Sequence, residues 1–393
     1  MFGPLRTGAG RLAEVDAFPT PVRAVFGHYA EGGLLESSAI RLQRHVEQAV
    51  QELIDEAYED VERAIAAEFD RESVDFTYDT KLTLPVELTL GHVYRRATAA
   101  APPGVDPVAG ERKTDPISKY RRSASEVDTE AVAETLVRDV RRAEDVAQLV
   151  VVALLDGDMR DAINDAEFDD FNVDFEIDEA DRERVAEIAQ EALQAEVVDL
   201  FAQYPDHVRE AYTTAVERSE AHQSRDPHFR DLMADAVADE PGGKEALREE
   251  YRDAEFEERP TIFAAAETDL PYLVTQYGRV GVIYHGMIEM FRRADVSLSR
   301  EFERSVVLAI IGAQVWLDDV DDFAADMTEG QLTPVTAEYL LAHSDAEAHD
   351  RVVEVTNRYL DKAREAAHTS DAPITGLAVE YIRHAGDSSK LPR

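Results

Sequence analysis

The chain has 393 residues, 44% of them hydrophobic, so a packed core is available and global disorder is excluded. It carries 82 acidic residues against 41 Lys plus Arg, a formal net charge of −41, with only six Lys and no Cys. Disulfides, zinc–thiolate sites and thiol nucleophiles are therefore excluded, and no basic footprint for a nucleic-acid backbone appears.

The N-terminal stretch MFGPLRTGAGRLAEVDAF has no apolar signal-like region. Apolar residues at helical spacing then predict a helix over 38–69, carried by Ile40, Leu42, Val46, Val50, Leu53, Ile54 and Ala57. Residues 74–78 (VDFTY) and 171–177 (FNVDFEI) alternate with period two and read as strands. They belong to an internal similarity, because AEFDRESVDFTYD (67–79) aligns without gaps to AEFDDFNVDFEID (166–178). A helix–strand duplication whose two strands pair is the expectation; the alternative is coincidence in an acid-rich chain. Residues 102–116 (PPGVDPVAGERKTDP) read as a linker. It divides residues 1–125, an N-terminal helical extension or part of the same domain, from a helical domain over 126–393.

A long helix, or two, is predicted over 129–163, and further helices over 180–204, 206–222, 243–256, 270–293, 298–327, 334–342, 346–368 and 375–384. Pro271 suits the first turn of its helix. The longest apolar run, 306–317, falls short of the roughly 20 residues that span a bilayer. The fold class expected is all-α, a helical bundle around a central cavity with a small two-stranded β element.

Thirteen uncharged residues, Ser305 to Leu317, end abruptly in Asp318, Asp319, Asp321 and Asp322, with Asp326, Gly330, Thr333 and Pro334 beyond. On a continuous helix Asp318, Asp319, Asp322 and Asp326 share one arc about 100° wide with Leu308, Ile311 and Val315, and Asp321 points aside. Four carboxylates on an inward face repel each other, and hard cations relieve that. A solvated acidic face is the alternative, but thirteen charge-free residues before it do not suit a surface helix. A calcium loop fits poorly here and at 170–181, where Phe175 stands in the glycine position. Nucleotide-loop, zinc-protease and hydrolase motifs do not occur.

DDVDDFAADMTEGQLTP resembles the second aspartate-rich motif of class I isoprenoid synthases, the superfamily of trans-polyprenyl diphosphate synthases and squalene/phytoene synthases. YGRVGVIYHGM (277–287) is similar to the helix that precedes the motif in the phytoene-synthase type. The resemblance covers about residues 270–340. It implies an Mg²⁺-dependent transferase or lyase that ionises an allylic isoprenyl diphosphate for condensation, head-to-head coupling or cyclisation. Asp318, Asp319 and Asp322 would be the catalytic carboxylates, and with Asp326 the metal ligands. A second carboxylate cluster is implied across the cavity, and no clean first motif is present. Asp156 and Asp161 in LLDGDMRDAIND are the best candidates, with Asp55 and Asp60 next. Arg279, Arg292 and Arg293 are candidates for diphosphate oxygens, although the last two also suit a helix C-terminus. Tyr277, Tyr284 and Gln314 are candidates for the cavity wall, with core packing the alternative for the tyrosines. The C-terminal SSKLPR would either close over the site through Lys390 or Arg393 or fray. The competing reading is a non-catalytic helical protein of the same scaffold that binds a prenyl ligand or a protein partner. Apart from an isoprenyl diphosphate the resemblance is compatible with a homodimer, and a prenyl product would partition to a membrane. The excess of acid costs self-repulsion that molar salt screens. This composition resembles that of halophilic archaeal proteins of the cytoplasm, the location expected.

Overall fold

Helices make up most of the chain, with one two-stranded sheet among the described residues. The structure is a computed structural model describing all residues except 1–8, 14, 16–17, 32–36, 79–82, 103–107, 109–124 and 165. By its internal contacts the chain divides into two compact units. One comprises Met1–Glu36, Tyr212–Gly286 and Leu298–Arg393, the other Ser37–Ala211 and Met287–Ser297. No helix among the described residues is long and apolar enough to cross a membrane.

α1 (Thr20–Ala30) belongs to the first unit. The second unit is built on α2 (Ser37–Glu68), α3 (Leu84–Ala100), α4 (Ser125–Asn164) and α5 (Glu179–Phe201), which pack against one another. α2 buries Val46, Val50, Ile54, Ala57, Val61 and Ile65, a stripe at three- and four-residue spacing. α4 is buried from Leu149 through Leu155, matching its apolar run. α3 is absent from the helices predicted by periodicity. Its sequence PVELTLGHVY alternates like a strand and contains Gly91, and burial of Val86, Leu88, Leu90 and Val93 overrides that local preference. The linker lies almost wholly outside the described residues, and α3 and α4 on its two sides share one unit.

β1 (Phe76–Thr77) and β2 (Asn172–Val173) pair antiparallel with Phe76 opposite Val173, so the two similar segments meet as expected. The ladder is shorter than the alternating stretches. Asp174 N–H still donates to Asp75 O, at 3.2 Å, and Tyr78 lies on Phe171 with ring centroids 4.9 Å apart. The 170–181 segment ends as the N-cap of α5, where Asp178 accepts from Asp181 N–H at 2.9 Å.

α6 (Asp206–Gln223) and α10 (Val282–Arg293) each have residues in both units, and the first unit further contains α7 (Asp226–Val237), α8 (Gly243–Leu247), α9 (Leu273–Gln276), α11 (Arg300–Ala313), α12 (Phe323–Glu329), α13 (Pro334–Leu341), α14 (Asp345–Thr369) and α15 (Pro373–Ala385). Its centre is α11, buried from Ser305 to Gly312 and packed on α14 and α15, with α1 against α15. Burial on all faces explains the charge-free run.

Three expected helices are interrupted. The helix expected over 243–256 becomes α8 and a π-helical turn, Arg248–Arg252. That over 270–293 is α9, a π turn at Tyr277–Gly281, and α10. Pro271 precedes the helix rather than entering its first turn, because Tyr272 takes a left-handed φ of 64°. The helix over 298–327 is α11, a π turn at Gln314–Asp318, a non-helical turn, and α12.

Candidate functional site

The third π turn decides where the aspartates point. Asp319 N–H donates to Gln314 O, five residues back, at 2.9 Å. A wider turn advances each residue by less than 100°, so projection on one regular helix fails beyond Gln314. The expectation that Asp318, Asp319, Asp322 and Asp326 share a buried arc is therefore corrected. Asp319 (1% exposed) and Asp326 are buried, and Asp318, Asp321 and Asp322 are exposed. The acids stay linked along the chain, with Asp322 N–H donating to Asp318 O and Asp326 N–H to Asp322 O, each at 2.9 Å. Gly330 then closes α12 at φ 71°, and Thr333 caps α13 by accepting from Thr336 N–H at 3.3 Å. The Gly–x–x–Thr–Pro spacing thus serves as stop and restart signals for two helices.

Arg279 comes from the second π turn. Its Nη1 donates to Asp319 Oδ1 at 3.0 Å. Gln314 donates to Asp318 and, at 3.4 Å, to Asp319 Oδ1. Asp319 Oδ2 is buried without a hydrogen-bond partner. Burial pushes the Asp319 carboxyl up to about 6; Asp318 and Asp326 add to the rise, and Arg279 and Gln314 oppose it. Asp326 is likewise pushed up to about 6, first by burial and then by Asp322, Asp318 and Glu329, against Arg279. Burial also works against the Arg279 charge, and Asp319, Tyr251 and Asp318 outweigh it, so Arg279 is held protonated.

Arg279 also lines a cleft of about 160 Å³ with His222, Gln223, Asp226, Phe229, Arg230, Tyr251, Gln331 and Leu332. Tyr251 comes from the first π turn, so all three π turns bring residues to one neighbourhood. Such turns recur at functional sites because they re-aim side chains out of helical register. Tyr251 OH donates to Leu332 O at 2.8 Å and is fixed there. Burial lowers the His222 pKa to about 4, helped by Arg225 and Arg279, so its imidazole is neutral at pH 7. The cleft is below the roughly 300–1,000 Å³ of pockets that hold drug-sized ligands.

Other sequence candidates stand elsewhere. Tyr277, Tyr284 and Gln314 do not line this cleft. Tyr277 is core, edge-on to Phe256 and Phe263, and its hydroxyl is 2.7 Å from His285 Nδ1. Arg292 and Arg293 belong to the second unit, where both pair with Glu289 and Arg293 donates to His207 O at 2.8 Å. These contacts fit the helix-end reading. Asp156 and Asp161 are also in that unit. Asp156 is buried with both oxygens engaged, accepting from Gln190 at 2.9 Å and Arg160 at 2.5 Å. Asp161 is exposed, as is Asp55, which accepts from Gln51 at 2.8 Å. Asp165 lies outside the described residues.

The C-terminus is docked. Lys390 pairs with Asp321 at 2.7 Å, Tyr339 OH donates to Pro392 O at 2.6 Å, and Leu391 is buried. Lys390 therefore reaches the aspartate loop through Asp321, and Arg393 meets His349 at 3.2 Å. Sequence reasoning missed Tyr251 and His222. His222 left no signal in the sequence, and that a Cβ at Gly278 would lie 2.6 Å from His222 Nδ1 is visible only in the fold. Tyr251 carried none, because its helix breaks without Gly or Pro.

The aspartate loop offers only oxygen donors, the chemistry a hard divalent cation prefers, and one of them is buried and unpartnered, but no three of its carboxylates bring oxygens within 4.8 Å of one another. No family model, curated protein or solved structure matches this chain.

Proposed function

We propose that the aspartate loop holds Mg²⁺ for a diphosphate-bearing substrate, and that the protein is an isoprenoid synthase-like enzyme acting on an allylic prenyl diphosphate. The observation that carries this is Arg279, which bonds the buried Asp319 and lines the adjoining cleft at once. Asp318, Asp319, Asp322 and Asp326 would hold the metal, whose positive charge would neutralise a departing diphosphate. Arg279 supplies a fixed cation for phosphate oxygens. Tyr251, anchored to Leu332 O, and neutral His222 shape the cleft beside it. Condensation, head-to-head coupling and cyclisation share the ionisation step, and the proposal covers that step.

A second reading, a non-catalytic binder of a diphosphate-bearing ligand, is favoured by the engagement of both Asp156 oxygens, which leaves no second free carboxylate cluster at that position. One assay separates the two. The protein is incubated with Mg²⁺ and farnesyl or geranylgeranyl diphosphate in molar KCl, and diphosphate release is followed. The enzyme reading expects release that falls to background when Asp318→Ala and Asp322→Ala are combined. Both positions are exposed, so the fold should survive. No release above that double variant would sink the enzyme reading; Mg²⁺-dependent binding of the intact diphosphate would then support the binder.

A further inference from the structure

Away from the aspartate loop, three side chains of mixed ligand chemistry converge on α10 and α11. His285, Glu289 and Glu303 each offer one ligand atom, and these atoms lie within 4.8 Å of one another. His285 and Glu289 stand four residues apart on α10, an unbroken helix from Val282 to Arg293, so helical geometry alone puts them on one face. Glu303, on α11, is 1% exposed among the buried Phe302, Ser305 and Val306. A carboxylate in such surroundings needs a compensating positive charge. His285 Nε2 lies 3.9 Å from Glu303 Oε2. That is too long for a hydrogen bond. It suits two ligands of one ion, which lie at most about 4.2 Å apart when each bond is about 2.1 Å.

The imidazole is also oriented from behind. Its Nδ1 is 2.7 Å from the Tyr277 hydroxyl. A ligating Nε2 needs the ring proton on Nδ1, and the phenol oxygen is in place to accept it. Glu289 is held as well, since Arg292 pairs with its Oε1 and Arg293 with its Oε2 at 3.5 Å. One oxygen can turn to an ion while the other keeps an arginine. We propose that His285, Glu289 and Glu303 form a site for a divalent transition metal of the Zn²⁺ class, separate from the aspartate loop, with Tyr277 as its positioning residue. An imidazole beside two carboxylates favours Zn²⁺, Co²⁺ or Mn²⁺ over Mg²⁺. Three protein ligands leave a fourth tetrahedral position to water or to a ligand oxygen.

The test strips the full chain with EDTA and titrates it with Co²⁺ in molar KCl while visible absorption is followed. Wild type should bind Co²⁺ with a spectrum that Zn²⁺ bleaches and millimolar Mg²⁺ does not. Glu289→Gln should weaken Co²⁺ binding by at least about tenfold. Tyr277→Phe keeps the ring packing and should weaken it by about tenfold, the low end for loss of a bond behind a ligand, and should shift the spectrum. Combined Asp318→Ala and Asp322→Ala should leave the Co²⁺ spectrum unchanged. Circular dichroism shows whether each variant is folded, and Tyr277→Phe decides the matter if Glu289→Gln is not. No Co²⁺ binding by wild type, or wild-type binding by folded Glu289→Gln, would overturn the proposal. Loss of the Co²⁺ spectrum in the aspartate double variant would overturn it too, by placing the ion at the loop instead.

Discussion

Asp319 pairs with Arg279, yet burial makes its carboxyl reluctant to ionise. Its folded pKa, about 6, lies above the ordinary 3.8, so the native state holds the proton more tightly than the unfolded chain. The stability this contributes is fully present below pH 3.8 and is lost as pH rises through 6. Between pH 4.5 and 7 in EDTA, wild type should therefore lose about 2 kcal/mol more than Asp319→Asn, at 1.36 kcal/mol per unit. Urea unfolding at the two pH values checks this, and equal losses would show that Asp319 does not titrate in that window. A cation held by Asp319 has the opposite effect, since only the ionised carboxylate binds it. Added Mg²⁺ should recover stability at pH 7 and little at pH 4.5.

Elements position that residue through irregularity. Three π turns interrupt helices that periodicity alone predicts as continuous, and each supplies a residue to the site: Tyr251, Arg279 and Asp318. The Gln314–Asp318 turn is held from outside by the last turn of α15 and by Gly386 just beyond it. Trp316 Nε1 donates to Arg383 O at 3.4 Å, and a Cβ at Gly386 would fall 2.1 Å from Trp316 Nε1. Only glycine allows that approach. Gly386→Ala should cost about 1–3 kcal/mol, the usual range for overpacking, and should move the Trp316 ring. Trp316 is the sole tryptophan, so its emission reports on this turn without a label. A changed emission maximum together with weakened Mg²⁺ binding is the expected result. Unchanged emission and stability would mean that the Gly386 contact does not hold the turn.

At the scale of the whole molecule, a net charge of −41 sets the working conditions. Exposed carboxylates such as Asp318, Asp322 and Asp161 repel neighbours over a Debye length of about 10 Å at 0.1 M salt, and about 3 Å at 1 M. The thermal midpoint should accordingly rise steadily as KCl is raised from 0.1 M to 2 M. Equimolar sucrose should not reproduce the rise, since it leaves charges unscreened. A midpoint independent of KCl would mean that the acidic surface is already neutralised within the fold.

Composition and periodicity by themselves determined the all-α class, the α2 stripe, the buried run of α4 and the interior position of α11, whereas the pairing of the two similar strand segments, open against coincidence in the sequence, was decided by the fold. The helical features follow from local order, because apolar spacing dictates which face a helix must bury. The acid-rich stretch and its Gly–x–x–Thr–Pro sequel were also legible, as an apolar helix ending in carboxylates and as helix stop and start signals. Which aspartates are buried was decided only by tertiary structure. A π turn shifts phase by a fraction of a turn, and no residue type in QVWLD announces it. The partner of Asp319 was decided the same way: Arg279 lies 40 positions away and meets it through packing of the Tyr277–Gly281 turn against α11. Asp156 shows the converse. In sequence it stands at the end of an apolar run much as Asp318 does, yet Gln190 and Arg160 close over its oxygens. Position along a helix determines that a carboxylate is carried inward; the side chains waiting there determine whether it stays open to a ligand.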